Sequence, residues 1–188
     1  MKRFFAIAAL AVLSAGSLRA ADAAIMVPLR TQYETTSTLL YNMIEAIPEE
    51  KYDFKPVPEV RSFREQMQHV IAENTNYLNI MNGKPTGDQA RFNNNKTKAQ
   101  ILAALKESMD NITKALASMD DATAAQIITV PQDAAAGIRG TTRTKWSVVL
   151  AVLLDNMDHY GNLVVYARLN GITPPRTAAR AQQPAPAK

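Results

Sequence analysis

Apolar residues recur at alternating steps of three and four along four long stretches of the chain, the period of a helix that buries one face. The first stretch is Leu29, Tyr33, Thr36, Leu40, Met43 and Ile47. Pro28 suits its first turn, and Pro48 ends it. The second is Phe63, Met67, Val70, Asn74, Tyr77 and Met81, with Ser62 and Glu65 forming a capping box ahead of it and Gly83 supplying a stop. Leu102, Leu105, Met109, Ile112, Leu116 and Met119 carry the third, opened by a second capping box at Thr97 and Gln100. The fourth is predicted over 144–169. It carries one stripe through Trp146, Leu150, Leu153, Met157, Tyr160, Val164 and Ala167, and a second through Val148, Val152, Asp155, His159, Asn162, Tyr166 and Leu169. Two adjacent stripes predict a helix buried on most of its circumference. Gly171 and the Pro174-Pro175 pair end it.

The segments between read as connections. Residues 48–58 hold three prolines and several charges, 83–96 are polar with three consecutive asparagines, and 120–143 form a long link with room for a short strand-like or helical piece. No run of paired strands competes with the helices, so the fold class is all-α, a four-helix bundle.

The ends change this picture. Lys2 and Arg3, an apolar run from Phe4 to Leu13, and small residues up to Ala24 follow the order of a secretory signal, so 1–23 is expected to be a signal peptide and the protein periplasmic or secreted. The apolar run falls short of the roughly 20 residues of a membrane span, so no membrane insertion is expected after cleavage. The bundle domain is assigned to 24–175, and 176–188, rich in alanine, proline and glutamine, to a disordered tail. The chain has 21 Lys and Arg against 17 Asp and Glu. Three bases and one acid lie in 1–23 and three bases in 176–188, which leaves the body with 15 bases and 16 acids. The basic balance belongs to the ends, and nothing in the body reads as a nucleic-acid surface. Without cysteine, the chain has no disulfide and no thiol nucleophile.

Candidate chemistry concentrates in the fourth helix. Asp155 and His159 stand one turn apart within an apolar stripe, where a charge without a partner is costly. They read either as a polar pair in which the carboxylate holds the imidazole, or as metal ligands. The other histidine of the chain, His69, lies at the edge of the second helix's stripe, with Glu73 one turn on. It reads either as a boundary residue or as a third ligand, since helices packed in a bundle can converge side chains on one point.

The second-helix segment SFREQMQHVIAEN, the fourth-helix segment DNMDHYGNLVVYARLNG with its trailing PP, and the connector IPEEKYDFKPVPEV resemble the DinB-like family of four-helix bundle proteins. The resemblance spans nearly the whole chain beyond the signal. It implies a metal-dependent enzyme holding a divalent ion, zinc or nickel above all, through three histidines, one on the second helix and two on the fourth. His69 and His159 match the first and last of these, while Asp155 stands where the middle histidine is usual. A set of two histidines and a carboxylate also admits iron or manganese. The activity implied is of hydrolase or transferase type on a small molecule, with Glu73 or Asp158 as base and Tyr160 or Tyr166 as proton donor. The alternative is a non-catalytic, metal-free binding or stress-related bundle protein. A homodimer packed through the bundle stays open.

Overall fold

A computed structural model of the chain describes residues 25–183. The expected signal peptide, and the tail from 184 onward, lie outside the described residues. Four long helices form the bundle: α1 over Met26–Glu45, α2 over Phe63–Met81, α3 over Lys98–Ala117 and α5 over Lys145–Leu169. A one-turn helix, α4 (Asp121–Ala124), and two short strands, β1 (Ile127–Thr129) and β2 (Thr142–Thr144), lie in the long link. The strands pair antiparallel, with Ile128 opposite Arg143. A last helix, α6, spans Pro175–Ala181 and packs against α1. Over 176–181 that corrects the expectation of a disordered tail: Pro175 in the first turn pre-sets the backbone for a helix.

The principal contacts put α1 beside α3 and α5, and α2 beside the same two, so α1 and α2 are diagonal. The 46–62 connector therefore crosses the end of the bundle. It is held there by an aromatic cluster in which Phe63 meets Tyr166 edge to face at 5.4 Å and Phe54 meets Tyr166 at 6.2 Å. Both predicted capping boxes form, at Ser62 with Glu65 and at Thr97 with Gln100.

Helix α1 has no side-chain cap of its own. Its first amides, Ile25 N–H and Met26 N–H, donate instead to the two carboxylate oxygens of Asp121, at 3.0 and 2.8 Å. A buried carboxylate on two amide donors at a helix N-terminus is a charge-assisted cap. Asp121→Ala should therefore lower stability by about 1 to 2 kcal/mol, seen as a fall in the urea midpoint at unchanged slope.

Helix α5 departs from expectation. Its buried residues are Val148, Val149, Val152, Leu153, Asn156, His159, Tyr160, Leu163, Tyr166 and Ala167, which make one face. Leu150, Leu154, Val165 and Leu169 are exposed. At 100° per residue, the two predicted stripes fall on either side of that face, which is centred on Asn156 and Leu163. Asn162 is a correction: seven residues from Asp155, it shares the same edge of the buried face, is exposed, and donates from its amide to Asp158.

The apolar core divides in two. One cluster gathers Leu40, Phe63, Ile71, Leu105 and Leu163 at the connector end, and the other Tyr33, Ile80, Ile112, Val149 and Leu153 toward the hairpin. Every long helix also buries polar side chains, among them Thr36, Asn74, Ser108 and Asn156. Asn74 donates its amide to the Ser108 hydroxyl at 3.3 Å.

Candidate functional site

The polar chemistry of the interior lies where α2 faces α5. His159 is buried at 5% exposure, and Asp155, one turn before it, is half-buried. Their nearest approach, Nε2 to Oδ1, is 3.5 Å. That is long for a hydrogen bond, and His159 Nε2 and Asp155 Oδ2 are both buried without a hydrogen-bond partner. His69 is half-buried on α2, its ring edge-on to that of His159 with centroids 5.0 Å apart. The fold thus brings His69 against His159, and Asp155 against His159.

These pairwise distances suit a shared ion. A tetrahedral site with metal–nitrogen bonds of about 2.0–2.1 Å separates two ligand atoms by roughly 3.3 Å and two imidazole centroids by roughly 5 Å. The three side chains do not meet at one point, however: among the described residues no group of three or more His, Asp or Glu is placed to hold a metal ion. The fit is therefore to two ligand pairs that share His159.

Gln66, one turn before His69, completes the histidine's surroundings. It is buried, and its amide lies 2.5 Å from His159 Nδ1. With the amide nitrogen turned to the ring, Nδ1 accepts and the imidazole proton sits on Nε2, facing Asp155. With the amide oxygen there, Nδ1–H donates and Nε2 presents a lone pair, as a metal-bound histidine must. Exchange of the amide's two ends thus selects which histidine tautomer faces Asp155.

The remaining candidates are spread out. Glu73 lines a separate cavity of about 250 Å³, with Asn76, Tyr77 and Asp133 among its walls. Tyr77 stands beside the Asp155 carboxylate and Glu73; burial first, then those two charges, push its phenol well above the usual tyrosine range. Tyr160 is packed in the apolar cluster at the connector end, and the Tyr166 hydroxyl donates to the Arg61 carbonyl at 2.9 Å, a structural bond. Asp158 is exposed. His69 also borders a cleft of about 440 Å³ that opens between the connector, α2 and the 89–95 loop.

A bundle of four long helices with a histidine–carboxylate pair on the last and a facing histidine on the second defines the class. The family model described as the DinB superfamily matches residues 32–163, and the chain belongs to that superfamily. Solved structures of similar fold include a DinB-like protein from Bacillus subtilis, 18% identical with a TM-score of 0.61, and one from Bacillus cereus, 14% identical with a TM-score of 0.66. Each match covers 78% of this chain and 93% of the other. A third, assigned to the DinB family, comes from Exiguobacterium sibiricum, at 19% identity and a TM-score of 0.61, covering 79% of this chain and 93% of its own. A comparison with curated proteins returns no match. At these identities the structural likeness fixes the all-α fold, and activity has to be argued from the site.

Proposed function

We propose that the protein is a metal-dependent enzyme of hydrolase or transferase type acting on a small molecule, with His69, Asp155 and His159 as the metal's ligands. The observation that carries this reading is the pair of buried ligand atoms, His159 Nε2 and Asp155 Oδ2, left without hydrogen-bond partners beside a second imidazole. Leaving such groups unpaired costs about 1 to 3 kcal/mol each, a cost that a cation between them offsets. Two imidazoles and a carboxylate suit zinc or nickel, and also iron or manganese. When bound, an ion of this kind lowers the pKa of water or polarises a carbonyl.

The chain's own residues would do the rest. Gln66 fixes the plane and tautomer of His159, and the cleft beside His69 admits a substrate. Glu73 would move protons only from the side of its own cavity. Tyr160, embedded in the core, would position α5 by packing. The signal-like 1–23 segment supports a periplasmic or secreted location, and an oxidising compartment favours hydrolysis over thiol transfer.

The deciding measurement is elemental analysis after incubation with zinc, nickel, iron and manganese in turn. The expected result is about one ion per chain for one of these metals and background for His159→Ala. Background for the wild-type protein with all four overturns the reading. The metal-free alternative is favoured by the failure of the three side chains to converge. In that case Asp155→Ala and His69→Ala would alter stability and leave a broad hydrolase screen unmoved.

A further inference from the structure

We infer that the cleft beside His69 binds a small zwitterion of the α-amino acid type, with its carboxylate against Arg61 and its ammonium against Glu59. This gives a ligand class to the site proposed above and rests on that reading only in setting the ligand next to His69.

The charges of the cleft select for such a ligand. Its lining holds two cations, Lys55 and Arg61, and two carboxylates, Glu59 and Glu65, so neither a polyanion nor a polycation is favoured. Two of the four are committed to each other: Lys55 Nζ lies 2.9 Å from Glu65 Oε2, and that same oxygen accepts from the Ser62 amide at 2.7 Å in the helix cap. Arg61 and Glu59 remain. Their side chains enter no ion pair or hydrogen bond among the described residues, although they stand two positions apart and line the same cleft. Two lone surface charges would be no more than solvated groups. Opposite charges that share a cleft without pairing are complementary to a molecule that carries both, and a guanidinium reads a carboxylate through two parallel hydrogen bonds.

The walls are also fixed beforehand, which lowers the ordering cost of binding. The Arg61 carbonyl accepts from the Tyr166 hydroxyl, and the Tyr166 ring is held between Phe54 and Phe63, so the backbone that presents Arg61 is anchored to the core. Across the cleft, the Gln68 amide donates to the carbonyls of Asn93 and Asn95 at 3.2 and 2.7 Å and ties down the 89–95 loop. A volume of about 440 Å³ is in the range of small-molecule sites.

The test is an amide NMR titration of the purified protein, in the presence of a chelator, with L-alanine, N-acetyl-L-alanine and L-alaninamide. L-alanine should shift the amides of Lys55, Val57, Glu59, Val60, Arg61, Gln68 and His69 saturably. Each derivative, lacking one charge, should bind at least about tenfold more weakly. Arg61→Ala should erase the preference for L-alanine over its amide, and Glu59→Gln the preference over its N-acetyl form. Both residues are exposed, so the variants should keep the fold. No saturable shift with L-alanine, equal binding of the three compounds, or an unchanged preference in Arg61→Ala overturns the inference. Because the chelator excludes metal, this outcome is independent of the metal measurement.

Discussion

Raising the pH from 9 to 12 should unfold this protein well before its lysines alone would account for it. Burial pushes the Tyr33 phenol from an ordinary 10.0 up to about 12, with the nearby Ser37 hydroxyl opposing the effect and the Asp110 charge adding to it. Burial does the same to Tyr52, again to about 12, with Glu49 raising it further and Arg64 opposing. A phenol held neutral in the folded chain but titrating near 10 in the unfolded one stabilises the fold fully below pH 10. That stability is lost as pH rises from 10 toward 12, because the unfolded chain gives up a proton that the folded chain retains. At 1.36 kcal/mol per pKa unit, each of these two buried rings should cost roughly 2 to 3 kcal/mol across that window. Tyr77 shifts in the same direction. Urea midpoints at pH 9, 10, 11 and 12 should fall steeply above 10, and a Tyr33→Phe, Tyr52→Phe double variant should lose much of that slope. The Tyr52 hydroxyl has no hydrogen-bond partner, so its removal should cost little at neutral pH. A flat profile to pH 11, or an unchanged slope in the double variant, would contradict the assignment.

The helical period made the bundle legible because on α1, α2 and α3 the predicted stripe falls within the buried face. Of the residues named for α1, Tyr33, Thr36, Leu40, Met43 and Ile47 are buried, and α2 and α3 follow their predicted faces almost residue for residue. Helix α5 was harder to read because valine and leucine occur all around it. The exposed Leu150, Leu154, Val165 and Leu169 are as apolar as the buried set, and periodicity has no contrast to work on. The pairing of β1 with β2 was hidden for a different reason. Three-residue strands carry too little alternation to stand out, and Ile127, the most apolar-looking position, is exposed.

The same limit applies to the site. His159 and Asp155 could be found because charge inside an apolar stripe is conspicuous, and His69 because histidine is scarce here. Gln66 and Asn156 are uncharged, and nothing in their spacing separates a buried amide from an exposed one until the true face of each helix is known. For Gln66 a signal existed: it precedes Met67 and Val70 on a helix whose burial extends past one stripe, as Gln68 and Asn76 also show. Asp121 was out of reach, since its role as cap depends on a helix start 95 residues away.

Asn156 should be the most informative single position for stability. It is fully buried at the centre of the α5 face, and neither its amide oxygen nor its amide nitrogen has a hydrogen-bond partner. Its counterpart Asn74 is better placed, with its nitrogen on Ser108 and only the oxygen without a partner. An unsatisfied buried amide costs about 1 to 3 kcal/mol, and a leucine of similar shape removes that cost while adding apolar contact with Leu153 and Leu163, which flank it on the same face. Asn156→Leu should therefore raise the urea midpoint by about 1 to 3 kcal/mol of stability at unchanged slope, joining the two apolar clusters into one. Asn156→Ala should not reproduce the gain, because it exchanges an unsatisfied amide for a void in a close-packed interior. A destabilised Asn156→Leu would contradict this account, because the unsatisfied amide would then cost less than fitting an apolar side chain in its place.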